Sequence, residues 1–255
     1  MMQMALLNVR TVGNKTFMLN DFISNHPLDF LFLSETWLKV GDLTPMTELL
    51  PQGYSYYNSP RLTGRGGGLM SIFKDEIRCR MISPELYNSF ELQMFQIMLT
   101  NPVLVALVYR PPKSNRDFIN EFSDFVSWLI TQFDCFLIIG DFNVHLCCEQ
   151  DAVSREFVNL IDSFDLIQWV KVPTHKLVHT LDLVLSYNLP IQDIMIDEVV
   201  FSDHKSVFFN VCCYKRKSRP ERVLSRRIDS STSAEFSMLY RDCYESSVSE
   251  ISLMN

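Results

Sequence analysis

The chain has 255 residues, of which 47% are hydrophobic and 12% aromatic, and its formal net charge is −7. This length and composition exclude an extensively disordered protein and allow one domain of roughly 200 to 250 residues with a full core. No run approaches the roughly 20 apolar residues of a membrane span. Residues 1–7 lack the basic start and long apolar core of a signal peptide. The seven cysteines contain no C-x-x-C spacing, which favours a reducing, intracellular compartment.

The charge is distributed unevenly along the chain. Residues 1–213 carry 15 Lys and Arg against 24 Asp and Glu, a net charge of −9, whereas 214–227 carry seven basic residues against the single acid Glu221. This shift predicts a domain over 1–213, followed by a basic linker and an amphipathic helix near 232–251 within 214–255. The basic stretch is interpreted as a solvated linker, with a nucleic acid contact as the alternative.

Apolar runs and turn residues predict strands interspersed with helices. Strands are expected at 4–9, 28–34, 68–73, 91–99, 103–109, 135–140, 180–186 and 206–213. Helices are expected near 14–24, where Phe17 and Phe22 are predicted to pack in the core, and over 115–132 and 152–164. The glycine-rich segment 64–68 is predicted to be a flexible loop and not a phosphate-binding motif. Several strands are too apolar for a half-exposed sheet, which indicates a layered α/β or α+β domain.

The segment Gly140-Asp141-Phe142-Asn143 follows one of these apolar runs. Residues two apart in an extended chain point the same way, so Asp141 and Asn143 would emerge together where Gly140 lets the backbone turn. The carboxylate could take a proton from water while the amide donates to a phosphate oxygen, and such a pair suits phosphoryl chemistry. An Asx turn that closes the strand explains the same residues equally well.

Other polar side chains follow or interrupt apolar strands, although each of them alone is more often a solvated or packed residue. Glu35 is of the type that Mg²⁺ prefers, since this cation takes oxygen ligands. Asp182 lies in a strand of Leu and Val, where a charge is costly unless paired, and His204 is its natural partner. A bond between them would fix the imidazole tautomer, raise the pKa of His204 and leave the second N–H for a phosphate.

The order of these motifs resembles the endonuclease/exonuclease/phosphatase superfamily, and most closely the apurinic-type endonuclease domain of LINE-type non-LTR retrotransposons. Seven stretches between residue 7 and about 213 carry the resemblance: Leu7-Asn8-Val9-Arg10, Leu33-Ser34-Glu35-Thr36-Trp37, Gly64-Arg65-Gly66-Gly67-Gly68-Leu69, Val108-Tyr109-Arg110-Pro111-Pro112, Gly140-Asp141-Phe142-Asn143, Pro173-Thr174-His175 with Thr180-Leu181-Asp182-Leu183-Val184, and Ser202-Asp203-His204.

The resemblance implies a four-layer α/β/β/α sandwich of two packed sheets flanked by helices, with hydrolysis of a DNA phosphodiester at one edge. The implied catalytic residues are Tyr109, Asp141, Asn143, Asp182 and His204; the implied metal ligands are Asn8, Glu35 and Asp203; the implied substrate contacts are Arg10, Arg110, Thr174 and Ser202. The implied cofactor is Mg²⁺, with Mn²⁺ as the alternative. The implied partner is double-stranded DNA, with no membrane. A nuclear location and, in a parent element, a following reverse transcriptase region are also implied.

Two other functions are compatible with these motifs. One is a catalytically idle retrotransposon relic that acts as a binding module through its basic segment, which the retained catalytic set disfavours. The other is a phosphoesterase of the same fold that acts on a lipid or a nucleotide. The net charge of −9 over 1–213 offers no basic patch for a lipid surface. The sequence therefore predicts a metal-dependent DNA-nicking endonuclease.

Overall fold

The computed structural model of the protein describes residues 1–42, 44–83, 86–112, 117–146 and 151–212, together with Met238. The chain divides into two units, Met1–Arg216 and Lys217–Asn255, and the fold below belongs to the first. Apart from Met238, the predicted basic linker and terminal helix within 214–255 lie outside the described residues. Of the helices that can be described, none has the length and apolar character needed to cross a membrane.

The described residues form twelve strands and four helices. In chain order they are β1 (Met2–Asn8), α1 (Thr16–Asn25), β2 (Phe30–Ser34), α2 (Thr44–Leu49), β3 (Tyr54–Ser59), β4 (Leu69–Lys74), β5 (Cys79–Ile82), β6 (Glu91–Ile97), β7 (Val103–Tyr109), α3 (Phe118–Gln132), β8 (Phe136–Asp141), α4 (Ala152–Ser163), β9 (Ile167–Gln168), β10 (Asp182–Tyr187), β11 (Ile191–Asp197) and β12 (Ser206–Val211).

The strands form two sheets of six strands each. Their spatial orders are β11-β12-β1-β2-β4-β3 and β5-β6-β7-β8-β10-β9. Each sheet has one parallel pair at its centre, β1 with β2 and β7 with β8, and all its other pairs are antiparallel. The carboxyl ends of the two central pairs therefore carry the residues that follow β1, β2, β7 and β8.

Three buried clusters define the layers of the fold. The first lies between the sheets, the second packs α3 and α4 onto the second sheet, and the third packs α1 and α2 onto the first sheet. The predicted four-layer α/β/β/α sandwich is confirmed. Because both faces of each sheet are covered, the central strands are apolar on both sides, which is why they read as continuous apolar runs.

The strand period of two sorts the side chains of β1 between these layers. Met4 and Leu6 face the other sheet, whereas Ala5 and Leu7 face the helices. Each fully buried side chain of the size of Leu or Met contributes about 1.5–3 kcal/mol to stability. A slip of one residue would exchange the two sets and would turn Asn8, the next residue of the inward-facing series, away from the second sheet.

All eight predicted strands are present, and the four strands that were not predicted are β3, β5, β9 and β11. These four are the edge strands of the two sheets. Edge strands are partly exposed and lack the long apolar run that marks an interior strand, as the half-buried β3 illustrates. Helix α2 was also not predicted, since it has only six residues.

The three predicted helices are present with small shifts at their ends, and residues 115–116 of the helix predicted over 115–132 lie outside the described part. The prediction that Phe17 packs in the core is wrong, because its side chain is 74% exposed. The buried face of α1 is formed by Leu19, Phe22 and Ile23, which are three and four residues apart. Phe17 lies outside that spacing.

Candidate active site

Four polar side chains lie in one row across the second sheet. The strand register places Glu91 opposite Tyr109, Tyr109 opposite Asp141, and Asp141 opposite Asp182. Along β8, Leu137 and Ile139 belong to the core between the sheets, and the period of two puts Asp141 on the same face. The row is therefore the polar end of the core between the two sheets.

Gly140 lets β8 reach this row. Its φ is +147°, and a Cβ atom at this position would lie 1.8 Å from the carbonyl oxygen of Val108 on the neighbouring strand. The predicted turn at Gly140 is wrong, because β8 continues to Asp141. Glycine is required here for close approach of two backbones.

Asp141 is fully buried and receives hydrogen bonds from both sheets. Its Oδ2 accepts from Nδ2 of Asn8 at 2.8 Å, and its Oδ1 accepts from the backbone N–H of Asn143 at 3.0 Å. Burial, and then the nearby charge of Asp182, raise the pKa of Asp141 to about 7. A carboxyl group with a pKa in this range suits proton transfer near neutral pH.

The turn after β8 contains the Asx turn and also keeps the predicted pair together. Asn143 has a left-handed φ of +47°, and its Nδ2 lies 3.2 Å from Oδ2 of Asp141 and donates to the carbonyl oxygen of Arg110 at 2.7 Å. Arg110 also binds this turn with its side chain. Its Nη1 donates to the carbonyl oxygens of Asn143 at 3.0 Å and Phe142 at 3.3 Å. The turn is thus fixed by both backbone and side chain bonds.

His204 and Asp182 form the predicted buried pair. Nδ1 of His204 lies 2.8 Å from Oδ2 of Asp182, so the proton on Nδ1 faces the carboxylate and Nε2 faces away. Burial works against the charged imidazole, but Asp182, and then Asp141 and Asp203, outweigh it and raise the pKa of His204 to about 9. His204 is therefore a cation at neutral pH.

Three residues that were expected to contact substrate are buried and hydrogen-bonded to backbone groups in the structure. Thr174 is fully buried, and its Oγ1 accepts from the backbone N–H groups of Leu181 and Asp182, each at 3.1 Å. Ser202 donates to the carbonyl oxygen of Asn8 at 2.7 Å and accepts from the N–H of His204 at 3.1 Å. Arg110 is also buried and bonded to backbone carbonyls. These hydrogen bonds position neighbouring backbone, and the roles of the three residues as substrate contacts stay predictions.

Asn8 links the two carboxylates that face each other across the sheets. Its Nδ2 donates to Oε1 of Glu35 at 2.9 Å as well as to Asp141, and its Oδ1 accepts from the backbone N–H of Arg10 at 3.0 Å. In this arrangement Asn8 presents hydrogen atoms, not an oxygen, to the acids. The role of Asn8 as a metal ligand stays a prediction.

Tyr109 also contacts Glu35. Its hydroxyl hydrogen-bonds to the Glu35 carboxylate. Burial, and then the charges of Glu35 and Asp141, raise the pKa of Tyr109 well above its ordinary value. The phenol therefore stays protonated and can donate a hydrogen bond.

Asp203 lies between two side chains that share one of its oxygens. Arg10 and His175 both contact Oδ2, the imidazole Nε2 at 3.4 Å. Nδ1 of His175 accepts from the backbone N–H of Leu177 at 3.1 Å, so the neutral ring carries its proton on Nε2. Nε2 of His175 therefore faces Asp203 in this arrangement.

The residues present fit a divalent cation that prefers oxygen. Glu35 and Asp203 supply carboxylates, and Oδ1 of Asp203 is buried with no hydrogen bond partner among the described residues. Oδ1 of Asp182 is also buried with no hydrogen bond partner among the described residues. Buried carboxylate oxygens without donors suit a hard cation such as Mg²⁺.

The sequence interpretation missed Trp37, Arg61, Glu91 and His175. Arg61 and Glu91 form an ion pair beside the glycine-rich segment, and Trp37 donates its indole N–H to Oε2 of Glu35 at 3.1 Å. Glu91 offered one signal, since it is a carboxylate at the start of the predicted strand 91–99. Trp37 and His175 lie within stretches that carry the family resemblance but were given no role, and Arg61 gave no local signal.

Comparison with known proteins finds one family model and several solved structures that this chain resembles. A family described as endonuclease-reverse transcriptase matches residues 103–208. No curated protein matches the chain. The endonuclease domain of TRAS1, a telomere-specific non-LTR retrotransposon, is 14% identical, with a TM-score of 0.66, and the match covers 82% of this chain and 97% of that domain.

Two further solved structures share the fold. The AP endonuclease LMAP from Leishmania major is 16% identical, with a TM-score of 0.65, over 82% of this chain and 86% of that one. The 3′ phosphatase NExo from Neisseria, bound to a product DNA hairpin, is 15% identical, with a TM-score of 0.63, over 84% of this chain and 100% of that one. At these identities the likeness concerns the fold.

Proposed function

Since the chain has the fold of the endonuclease/exonuclease/phosphatase superfamily and matches the endonuclease-reverse transcriptase family over residues 103–208, we propose that it is a Mg²⁺-dependent endonuclease that nicks double-stranded DNA. The observation that carries this proposal is the joined set of Asn8, Glu35, Asp141, Asp182 and His204. These five residues come from both sheets and meet at the edge of the core between them. Nucleases and phosphatases among the similar structures support hydrolysis of a phosphoester.

Asp141 is the residue that fits the role of general base. It is held from two sides by Asn8 and Asn143, and its raised pKa allows it to accept a proton from water near neutral pH. Asp182 does not compete for this role, because it is committed to the proton on Nδ1 of His204. The two carboxylates thus differ in function because they differ in partners.

His204 is the residue that fits stabilisation of the phosphate charge. Its cationic ring keeps a proton on Nε2, which faces away from Asp182 and is available to a phosphate oxygen. Tyr109 donates its one hydroxyl proton to Glu35, so it would contact a phosphate oxygen only by exchanging that hydrogen bond. Donors that are fixed before the reaction stabilise developing charge without further reorganisation.

Glu35 and Asp203 are the residues that would hold Mg²⁺. The bound ion would supply Lewis-acid stabilisation of charge on the phosphate oxygens. Trp37 and Asn8 orient the Glu35 carboxylate, at 3.1 Å and 2.9 Å. Arg10 pairs with Asp203 and holds the carboxylate from the solvent side.

A plasmid-nicking assay tests the proposal. We expect wild type to convert supercoiled plasmid to relaxed circles with Mg²⁺, and EDTA, Asp141→Asn and His204→Ala each to abolish this conversion. Asp124→Asn is the matched control, because Asp124 is exposed on α3 and belongs to no part of the site. This variant should nick at the wild-type rate.

The same preparations discriminate the alternatives. Absence of nicking by folded wild type with Mg²⁺ or Mn²⁺ would contradict the endonuclease proposal and favour a binding relic. Release of phosphate from a phosphoinositide or a mononucleotide, without DNA nicking, would favour a phosphoesterase on another substrate. Nicking by Asp141→Asn at the wild-type rate would contradict the role of Asp141 as general base.

A further inference from the structure

Trp37 is an aromatic side chain held at the edge of the active site without being buried. Its side chain is 39% exposed, and it belongs to none of the three core clusters. Its backbone has a left-handed φ of +54°, and its N–H donates to the carbonyl oxygen of Gly67 at 2.9 Å. The indole N–H donates to Glu35. The ring is therefore fixed in position although burial does not hold it.

Arg65 lies against this ring. Its guanidinium carbon is 5.8 Å from the centroid of the Trp37 ring, a cation–π distance. Gly66 allows the close packing, because a Cβ atom there would lie 3.3 Å from Nε1 of Trp37. We refer to Trp37 and Arg65 as the rim pair.

The loop that carries Arg65 is braced by the second sheet. Glu91 accepts from the backbone N–H of Gly68 at 2.6 Å and pairs with Arg61. Arg61 in turn donates to the carbonyl oxygen of Arg65 at 3.0 Å. A Cβ atom on Gly67 would lie 2.3 Å from Oε1 of Glu91, so the loop approaches the carboxylate as only glycine allows. The glycine-rich segment is thus anchored, in contrast to the predicted flexible loop.

The charge around the site makes Arg65 distinctive. Arg10 is paired with Asp203, Arg61 is paired with Glu91, and Arg110 is bonded to backbone carbonyls. Within the described part of the chain, the guanidinium of Arg65 has the Trp37 ring as its contact and no carboxylate or carbonyl partner. An exposed cation beside an acidic site is a place where a polyanion can bind.

We propose that the rim pair is a DNA contact in which Trp37 stacks on an unpaired base next to the cleaved phosphodiester and Arg65 binds an adjacent phosphate. This proposal rests on the proposed nuclease function of the same site. An aromatic side chain stacks on any base, since every base has a π face. In an intact duplex both faces of a base are covered by its neighbours, so the ring requires a base that is unpaired or extruded.

Equilibrium binding in EDTA measures the rim pair without cleavage. The probes are two fluorescein-labelled duplexes of equal length, one fully paired and one with two unpaired bases at its centre. We expect Trp37→Leu to weaken binding to the second duplex by about tenfold and Trp37→Phe, which keeps the ring, by about twofold or less. On the fully paired duplex Trp37→Leu should change affinity by less than about threefold.

Arg65→Gln should weaken binding to both duplexes. It should also lower the slope of log affinity against log salt concentration by about one, since one phosphate contact is lost. Trp128→Leu and Arg80→Gln are the matched controls. Trp128 is 40% exposed on α3 and Arg80 is exposed on β5, so both resemble the tested residues in exposure but lie elsewhere.

Several outcomes would overturn the proposal. Trp37→Leu with wild-type affinity for the duplex with unpaired bases excludes stacking. Trp37→Phe as weak as Trp37→Leu assigns the effect to the indole N–H and its bond to Glu35. An equal loss on both duplexes excludes recognition of an unpaired base, and an unchanged salt slope in Arg65→Gln excludes a phosphate contact. If Trp37→Leu does not fold, the affinities of Trp37→Phe and Arg65→Gln still test the proposed DNA contact.

The test separates this proposal from the nuclease proposal. If wild type binds the duplex with unpaired bases through Trp37 but does not nick plasmid, the DNA contact of the rim pair is supported and the endonuclease proposal is contradicted. If wild type nicks plasmid and both Trp37→Leu and Arg65→Gln bind DNA with wild-type affinity, the endonuclease proposal is supported. The proposed DNA contact of the rim pair is then contradicted. Wild type that binds neither duplex contradicts the rim pair.

Discussion

The amide nitrogen of Asn8 lies 2.8 Å from Oδ2 of Asp141, and these residues are 133 positions apart in the chain. Asn8 ends β1 in the first sheet, and Asp141 ends β8 in the second. The same amide also donates to Glu35. This contact therefore joins the two sheets at the edge where the proposed chemistry takes place, and it couples the proposed metal ligand Glu35 to the proposed base Asp141.

Asp182→Asn should separate the orienting role of this residue from substrate binding. An amide keeps the size of the side chain but removes the charge that holds His204 as a cation, so the pKa of His204 should fall toward its ordinary value. We expect the rate of nicking under single turnover to fall by about 100-fold or more, with DNA affinity in EDTA within about twofold. Titration of the imidazole by NMR measures the pKa directly.

The exposed residue Asp124 supplies the control for this variant. Asp124→Asn should leave both the nicking rate and the imidazole titration of His204 at their wild-type values. A wild-type nicking rate in Asp182→Asn would contradict the orienting role of Asp182.

The stability of the metal-free protein should fall as pH rises from 6.5 to 9. The pKa of His204 is raised from 6.5 to about 9 on folding, so its contribution is present in full below pH 6.5 and is lost as pH approaches 9. The pKa of Asp141 is raised from 3.8 to about 7, so the folded protein also holds this proton more tightly and loses stability as pH rises toward 7.

Urea denaturation in EDTA at several pH values measures this dependence. His204→Gln removes the histidine contribution, so its free energy of unfolding should change less than that of wild type between pH 6.5 and 9. A wild-type protein that gains stability over this interval relative to His204→Gln would show that the pKa of His204 is not raised.

Gly140→Ala should destabilise the protein strongly. A methyl group at this position meets the carbonyl oxygen of Val108 at 1.8 Å, in a backbone conformation that L residues rarely adopt. We expect a loss of about 3 kcal/mol in the free energy of unfolding, from backbone strain and steric overlap together.

Gly53→Ala is the control for backbone conformation alone. Gly53 has a φ of +86°, and a Cβ atom there meets nothing within 4 Å. Its substitution should cost about 1–2 kcal/mol. Equal losses in the two alanine variants, measured by urea denaturation, would contradict the close approach of β7 and β8 at Gly140.

Thr174→Val should weaken the site through the backbone of Asp182. The substitution keeps the shape of the side chain but removes the oxygen that accepts from two buried N–H groups. We expect a loss of about 1–3 kcal/mol in the free energy of unfolding. The nicking rate should fall as well, because the start of β10 carries Asp182. Thr174→Ser keeps the hydroxyl and should restore both quantities.

The sequence alone was sufficient to predict the interior strands of both sheets. The eight predicted strands are the eight interior strands, because a strand covered on both faces must be apolar along its whole length. The edge strands were missed, since their residues face solvent on part of their surface and carry no comparable pattern. The pairing of Asp182 with His204 was also predictable, because a carboxylate in an apolar strand requires a partner.

Tertiary structure decided how the polar residues are used. Thr174, Ser202 and Arg110 are buried and hydrogen-bonded to backbone groups, and this burial follows from packing that local sequence does not record. The ion pair of Arg61 with Glu91 and the contact of Trp37 with Glu35 depend on which loops the sheet edges bring together. A period of two assigns a side chain to a face of its strand, but only the packing of one sheet on the other determines what that face meets.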